Sequence, residues 1–131
     1  MGDLFGFTPE RPYAARLSTL IAHDVAVWDV CACAHRSGSL DSAIDLDSVK
    51  ANDFASFYST HTGIGMICFN GAKASQLYRT RVMPTLGAGL KGIPSTVLPS
   101  TSPAHASVPY EAKRSAWQIV RMRSSDAAAR L

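Results

Sequence analysis

Two short runs, Val25-Ala-Val-Trp-Asp-Val30 and Ile64-Gly-Met-Ile-Cys-Phe69, are apolar almost throughout and lack polar alternation. A strand with one face in water alternates, whereas a strand covered on both faces reads as a continuous apolar run. These runs therefore predict strands of a parallel sheet. Ser95-Thr-Val-Leu98, set between two prolines, is a third candidate.

Helical spacing fills the gaps. Tyr13, Leu17, Leu20 and Ile21 recur at helical intervals after Thr8-Pro9. Asn52 can cap a segment with Phe54, Phe57 and Tyr58 on one face, ending near Thr62-Gly63. After Phe69-Asn70-Gly71, the residues Ala74, Leu77, Tyr78 and Val82 continue the pattern until Pro84, and residues 87–94 read as a Gly-rich loop. Pro109 and Glu111 open a last helix with Trp117 and Val120 on its apolar side, and residues 124–131 read as a frayed tail. Strands alternating with helices predict a three-layer α/β/α domain with a short parallel sheet. At 131 residues there is room for one domain, taken as 1–131.

Composition narrows the class. Apolar residues make up 47% and charged residues 18%, which disfavours disorder and coiled coil. No run approaches the 18 apolar residues that span a bilayer. The opening MGDLFGFTPERPY has an acid where a signal peptide has its basic region, so a soluble cytoplasmic monomer without membrane contact is expected. The net charge is +3, and seven cations lie beyond residue 80 against two acids, Glu111 and Asp126. A basic C-terminal third suits a polyanionic partner, although a solvated helix face has the same composition.

Three cysteines, Cys31, Cys33 and Cys68, form an odd count without a secretory leader, which argues for reduced thiols. Zinc and cubane iron–sulfur sites usually need four ligands, so these cysteines read as small buried hydrophobes.

Ligand sites in open parallel sheets gather outside the carboxyl ends of the strands. The three candidate strands run into Cys-Ala-Cys-Ala-His35-Arg36-Ser-Gly-Ser39-Leu-Asp41, into Asn70-Gly-Ala-Lys73, and into Pro99-Ser-Thr-Ser-Pro103-Ala-His105. In the last, two prolines bracket three hydroxyl residues, restricting the backbone and leaving short donors for phosphate oxygens. An ordinary turn has the same residue types.

Leu98-Pro-Ser-Thr-Ser-Pro-Ala104 resembles the final motif of the uracil-DNA glycosylase superfamily, and most of all its hypoxanthine-DNA (deoxyinosine) glycosylase branch. Trp28-Asp-Val with Arg36-Ser-Gly-Ser-Leu-Asp-Ser42, then Asn52-Asp-Phe54 and Phe69-Asn-Gly71, resemble that branch in the same order. The resemblance runs from about Leu4 to Trp117. It implies an enzyme that flips a deaminated base, hypoxanthine or uracil, out of DNA and hydrolyses its N-glycosidic bond. Electrostatic stabilisation of the departing base would carry the rate, with no metal or organic cofactor.

Carried over residue by residue, Ser100, Thr101, Ser102 and Pro103 match the loop that grips the DNA strand. The segment after the first strand matches where the superfamily places its base-reading side chain, and Asp29 is the nearest polar candidate; the alternative is an acid bonding amides of the Ser37-Gly38-Ser39 turn. Asn70 orients the pocket wall or caps the next helix. Arg36, Ser39 and Lys73 are candidate DNA contacts. Leu98 stands where several branches carry His, in agreement with the deoxyinosine branch. His105 stands where that branch often has Asn, and with Asp29 it is a candidate for the chemistry. Nothing before Tyr13 matches the superfamily's first motif, so the resemblance implies an N-terminally truncated member.

Two other functions fit the residues. A catalytically inactive nucleic-acid-binding remnant would keep the gripping loop and the basic C-terminal third. An unrelated α/β enzyme could use Asp29, Asp41 and His35 as an acid–base set. A serine hydrolase fits less well, because Ser100 has no GxSxG elbow around it.

Overall fold

The computed structural model describes residues 1–35 and 44–128. It divides into two compact units, one built from Met1–Trp28 with the segment from Ser107 onward, the other from Asp29–Ala106.

The first unit is helical, with α1 (Gly2–Phe5), α2 (Tyr13–Ile21) and α6 (Tyr110–Ala128). Helix α1 lies against α2 and α6. Leu4, Phe5, Leu20, Trp117 and Val120 are buried. The Tyr110 hydroxyl donates to the Asp3 carboxylate. The spacing anticipated α2 and α6, and α6 extends through Ala128 into the expected tail. Tyr13 and Ile21, read as apolar-face positions, are exposed, with the Arg16 guanidinium 5.7 Å from the Tyr13 ring.

The second unit holds β1 (Cys31–Cys33), β2 (Lys50–Ala51), α3 (Phe54–Thr60), β3 (Ile67–Asn70), α4 (Ala72–Leu77), α5 (Ala88–Lys91) and β4 (Ser95–Leu98). Strands β3 and β4 pair in parallel, with Ile67 opposite Ser95 and Asn70 opposite Leu98. This is the expected parallel sheet. Strands β1 and β2 form a separate antiparallel pair with a bulge between Cys31 and Cys33.

The first predicted strand is corrected. Residues 25–30 form no ladder, and Val27 and Trp28 are 60% and 52% exposed. The physical reason in the second unit is local. The Asn52 backbone N–H donates to the Val30 carbonyl at 2.9 Å, and its carboxamide donates to the Asp29 carbonyl at 2.7 Å. The first of these bonds continues the antiparallel β1–β2 pair by one backbone step, so the end of the run is engaged as the entry to β1 and not as a strand of the parallel sheet.

Asn52 is thus not the cap of α3. That role belongs to Asp53, whose carboxylate accepts from the Ser56 N–H at 2.9 Å and the Ser56 hydroxyl at 2.7 Å. These bonds favour the charged form and hold the Asp53 carboxyl below its usual range. After α4 the chain widens into a π turn over Tyr78–Val82 and tightens into a 3-10 turn over Met83–Thr85. Pro84 cannot donate to a helical ladder, and the change of winding accommodates it. The predicted Gly-rich loop contains the single helical turn α5.

The core of this unit is aromatic. Phe54, Tyr58, Phe69, Tyr78, Val82 and Leu86 are buried together, with Val30, Phe57 and Ile67 against them. Phe54 meets Tyr78 edge-on at 5.3 Å between centroids, and Phe69 meets it at 5.1 Å. The Tyr58 and Tyr78 hydroxyls lie 2.8 Å apart inside the cluster. This cluster fixes β3 against the turn that follows α4, and so fixes where β3 ends.

Candidate functional site

Strands β3 and β4 end side by side, and the residues that follow them interlock. The Gly71 N–H donates to the Leu98 carbonyl at 2.9 Å, extending the ladder by one bond. Gly71 has φ 89° and ψ 163°, a region open essentially to glycine alone. A Cβ there would come within 3.2 Å of the Ser100 Cβ, so the absence of a side chain lets the Ser100 loop close onto the end of β3.

Asn70 and Thr101 bind each other in both directions. The Asn70 carboxamide donates to the Thr101 hydroxyl oxygen at 2.9 Å, and the Thr101 N–H donates to the Asn70 Oδ1 at 2.9 Å. Further along, the Ser102 N–H donates to the Ser100 Oγ at 3.2 Å and the Ala104 N–H to the Ser102 Oγ at 3.3 Å. The His105 N–H closes the turn on the Ser102 carbonyl at 3.0 Å. All three hydroxyl oxygens therefore act as acceptors, those of Ser100 and Ser102 within the loop and that of Thr101 from Asn70. For Ser100 and Thr101 the hydroxyl proton is then available to an outside acceptor, which suits an anion that only accepts.

The structure brings together Asn70, Ser100, Thr101, Ser102, Pro103 and His105 at the carboxyl ends of β3 and β4. Thr101, Ser102 and Pro103 are exposed, and Ser100 and His105 are half-buried. Lys73 lies in the first turn of α4, where its ammonium donates to the Gln76 Oε1 at 3.1 Å.

Asp29 belongs to a different segment. It is exposed at the entry to β1, and its carbonyl is held by the Asn52 carboxamide. Its charge is felt at Cys31, whose thiol is pushed up by burial first, then by the Asp29 carboxylate and by Cys33. The expectation of buried cysteines is corrected: Cys31 and Cys68 are half-buried and Cys33 is exposed, because β1 lies in a two-stranded pair that leaves it partly open to solvent. Arg36, Ser39 and Asp41, with the Ser37-Gly38-Ser39 turn, lie outside the described residues. A depression of about 300 Å³, lined by Ala72, Ser75, Gln76, Arg79, Thr80 and Val97, holds none of the expected site residues.

Two contributions are not readable from the sequence pattern alone. Asn52 anchors the segment that carries Asp29, and Gly71 admits Ser100. The Asn-Gly pair is the available signal for the second, since a glycine directly after a strand often marks a backbone that approaches closely.

Comparison with known proteins bears on the family and the fold. No protein-family model matches the chain. Over 84 residues it is 32% identical to the hypoxanthine DNA glycosylase of Methanosarcina acetivorans, an alignment covering 58% of this chain and 52% of that protein. The chain thus spans about half the length of this curated relative. Its fold is similar to the solution NMR structure of a candidate uracil DNA glycosylase from Methanosarcina acetivorans, with a TM-score of 0.68 and 30% identity. That match covers 92% of this chain and 70% of the other. With the ordered motifs, the parallel pair and the interlocked Ser-Thr-Ser loop, the chain belongs to the uracil-DNA glycosylase superfamily and resembles its hypoxanthine-DNA glycosylase branch.

Proposed function

We propose that this chain binds DNA containing a deaminated base, hypoxanthine or uracil, and releases that base by hydrolysis. The observation that carries the reading is the loop after β4, where Ser100 and Thr101 each accept an N–H and keep a hydroxyl proton for another acceptor. Phosphate oxygens only accept, and short hydroxyl donors on a backbone held by Pro99 and Pro103 suit them.

In this reading the loop grips the strand beside the extruded nucleotide. Asp29 meets a base edge that donates hydrogen bonds, as the N1–H of hypoxanthine or the N3–H of uracil does. Water adds to C1′ as the C1′–N bond breaks, and the base leaves with the electron pair and then takes a proton. His105, at the exit of the loop, is the group we assign to donate a proton or a hydrogen bond to the departing base. Arg36, Ser39 and Lys73 supply further DNA contacts, and the protein acts without a metal or organic cofactor.

The loop's role is tested by binding. Replacing Ser100 and Ser102 together with Ala should weaken binding of a deoxyinosine oligonucleotide roughly tenfold or more, because hydrogen bonds to charged groups are the stronger kind. The slope of log K against log salt should stay unchanged, since no cation is removed. Lys73→Ala should instead flatten that slope by about 0.7 to 0.9. Fluorescence anisotropy over a salt series separates the two effects. Unchanged affinity of the double variant at low salt would remove Ser100 and Ser102 from the phosphate role.

A further inference from the structure

We propose that Asn70 is a positioning residue that sets the Thr101 hydroxyl for a DNA phosphate. The inference rests on the phosphate reading of the loop and names the group that aims it.

Thr101 engages both ends of the Asn70 carboxamide, one N–H and one lone pair of the oxygen, each at 2.9 Å. Asn70 is the last residue of β3, opposite Leu98 across the ladder, so its backbone is fixed by the sheet. Thr101 lies three residues beyond Leu98, in a loop whose turn bonds join near neighbours. The Asn70 pair and the close Gly71–Ser100 approach therefore tie this loop to the end of β3.

The direction of the bonds matters as much as their number. Because the Asn70 nitrogen donates, the Thr101 oxygen receives, and the Thr101 proton must leave toward another acceptor. A side chain that only accepts would reverse this and draw the Thr101 proton inward. One N–H and one lone pair of the Asn70 carboxamide are committed to Thr101 in this way, which fixes the plane of the amide.

Two substitutions at one position separate holding from aiming. Asn70→Ala removes both bonds, and solvent exchange of the Thr101 amide, read by NMR on the full chain, should speed up roughly tenfold. Asn70→Asp keeps an acceptor for the Thr101 N–H, so that amide stays protected, while the new carboxylate captures the hydroxyl proton. Both variants should bind an undamaged oligonucleotide at least about threefold more weakly. Thr101→Ser keeps the hydroxyl and should bind as wild type, whereas Thr101→Val should match Asn70→Ala. For Asn70→Ala and Thr101→Val the salt slope should equal that of wild type.

A Thr101 amide that exchanges in wild type at the rate of Asn70→Ala would overturn the clasp itself. Protected exchange in wild type with undiminished affinity in Asn70→Ala would overturn its role in aiming the hydroxyl. A wild-type chain that shows no salt-dependent binding would overturn the phosphate reading, and the positioning role with it, while the exchange result would still report the clasp.

Discussion

Replacing Tyr78 with Phe should lower the unfolding free energy by about 1–3 kcal/mol, measured by urea denaturation of the full chain. Tyr58 and Tyr78 are 4% and 3% exposed, and their hydroxyls bond each other at 2.8 Å. Removing one hydroxyl strands the other where water cannot replace the partner. Tyr58→Phe should therefore cost a similar amount, yet the double variant should cost less than the sum, because two phenyl rings leave no orphaned polar group. Burial, reinforced by the bond to Tyr78, raises the Tyr58 hydroxyl well above the ordinary tyrosine range. Tyr58 thus remains neutral through the neutral and mildly alkaline range, and its contribution should not vary with pH there. Strictly additive losses would show that the two hydroxyls do not depend on each other.

Gly71→Ala should have an effect of similar size, for a different reason. Its φ of 89° with ψ 163° costs about 1–3 kcal/mol for a residue with a side chain. The added Cβ would also press on Ser100 at 3.2 Å and push the loop off the end of β3. Stability and DNA affinity should fall together. Gly65→Ala is the control, since Gly65 has no positive φ and no atom within 4 Å of the place a Cβ would take, so a change within about 0.5 kcal/mol is expected. Loss of stability with unchanged DNA affinity would separate Gly71 from the binding loop.

The parallel pair is legible in the sequence because residues 67–70 and 95–98 find each other as partners, and an apolar run is informative when a ladder covers it. The same pattern misleads at residues 25–30, where the run has no ladder and Asn52 takes two of its carbonyls. Asn52 and Asp53 are adjacent and both are good capping residues, so only geometry shows that Asp53 caps while Asn52 reaches back to Asp29. At the site, the Ser-Thr-Ser loop is readable from its residue types and bracketing prolines. The Asn70–Thr101 clasp is not, because the two residues are 31 positions apart and meet only through strand register. Asp29 is placed by resemblance alone, and its contacts in this structure, with Asn52 and Cys31, are those of a fixed segment.

Base release is the most direct test of glycosylase action. The 131-residue chain is incubated with labelled oligonucleotides carrying one deoxyinosine or one deoxyuridine, followed by alkali to cut abasic sites. Cleavage is expected at the modified position, with none in an undamaged control. Asp29→Ala should change the rate or the preference between the two bases while leaving affinity for the control unchanged. Salt-dependent binding without cleavage of either oligonucleotide would contradict glycosylase action by this chain and leave a DNA-binding protein in its place.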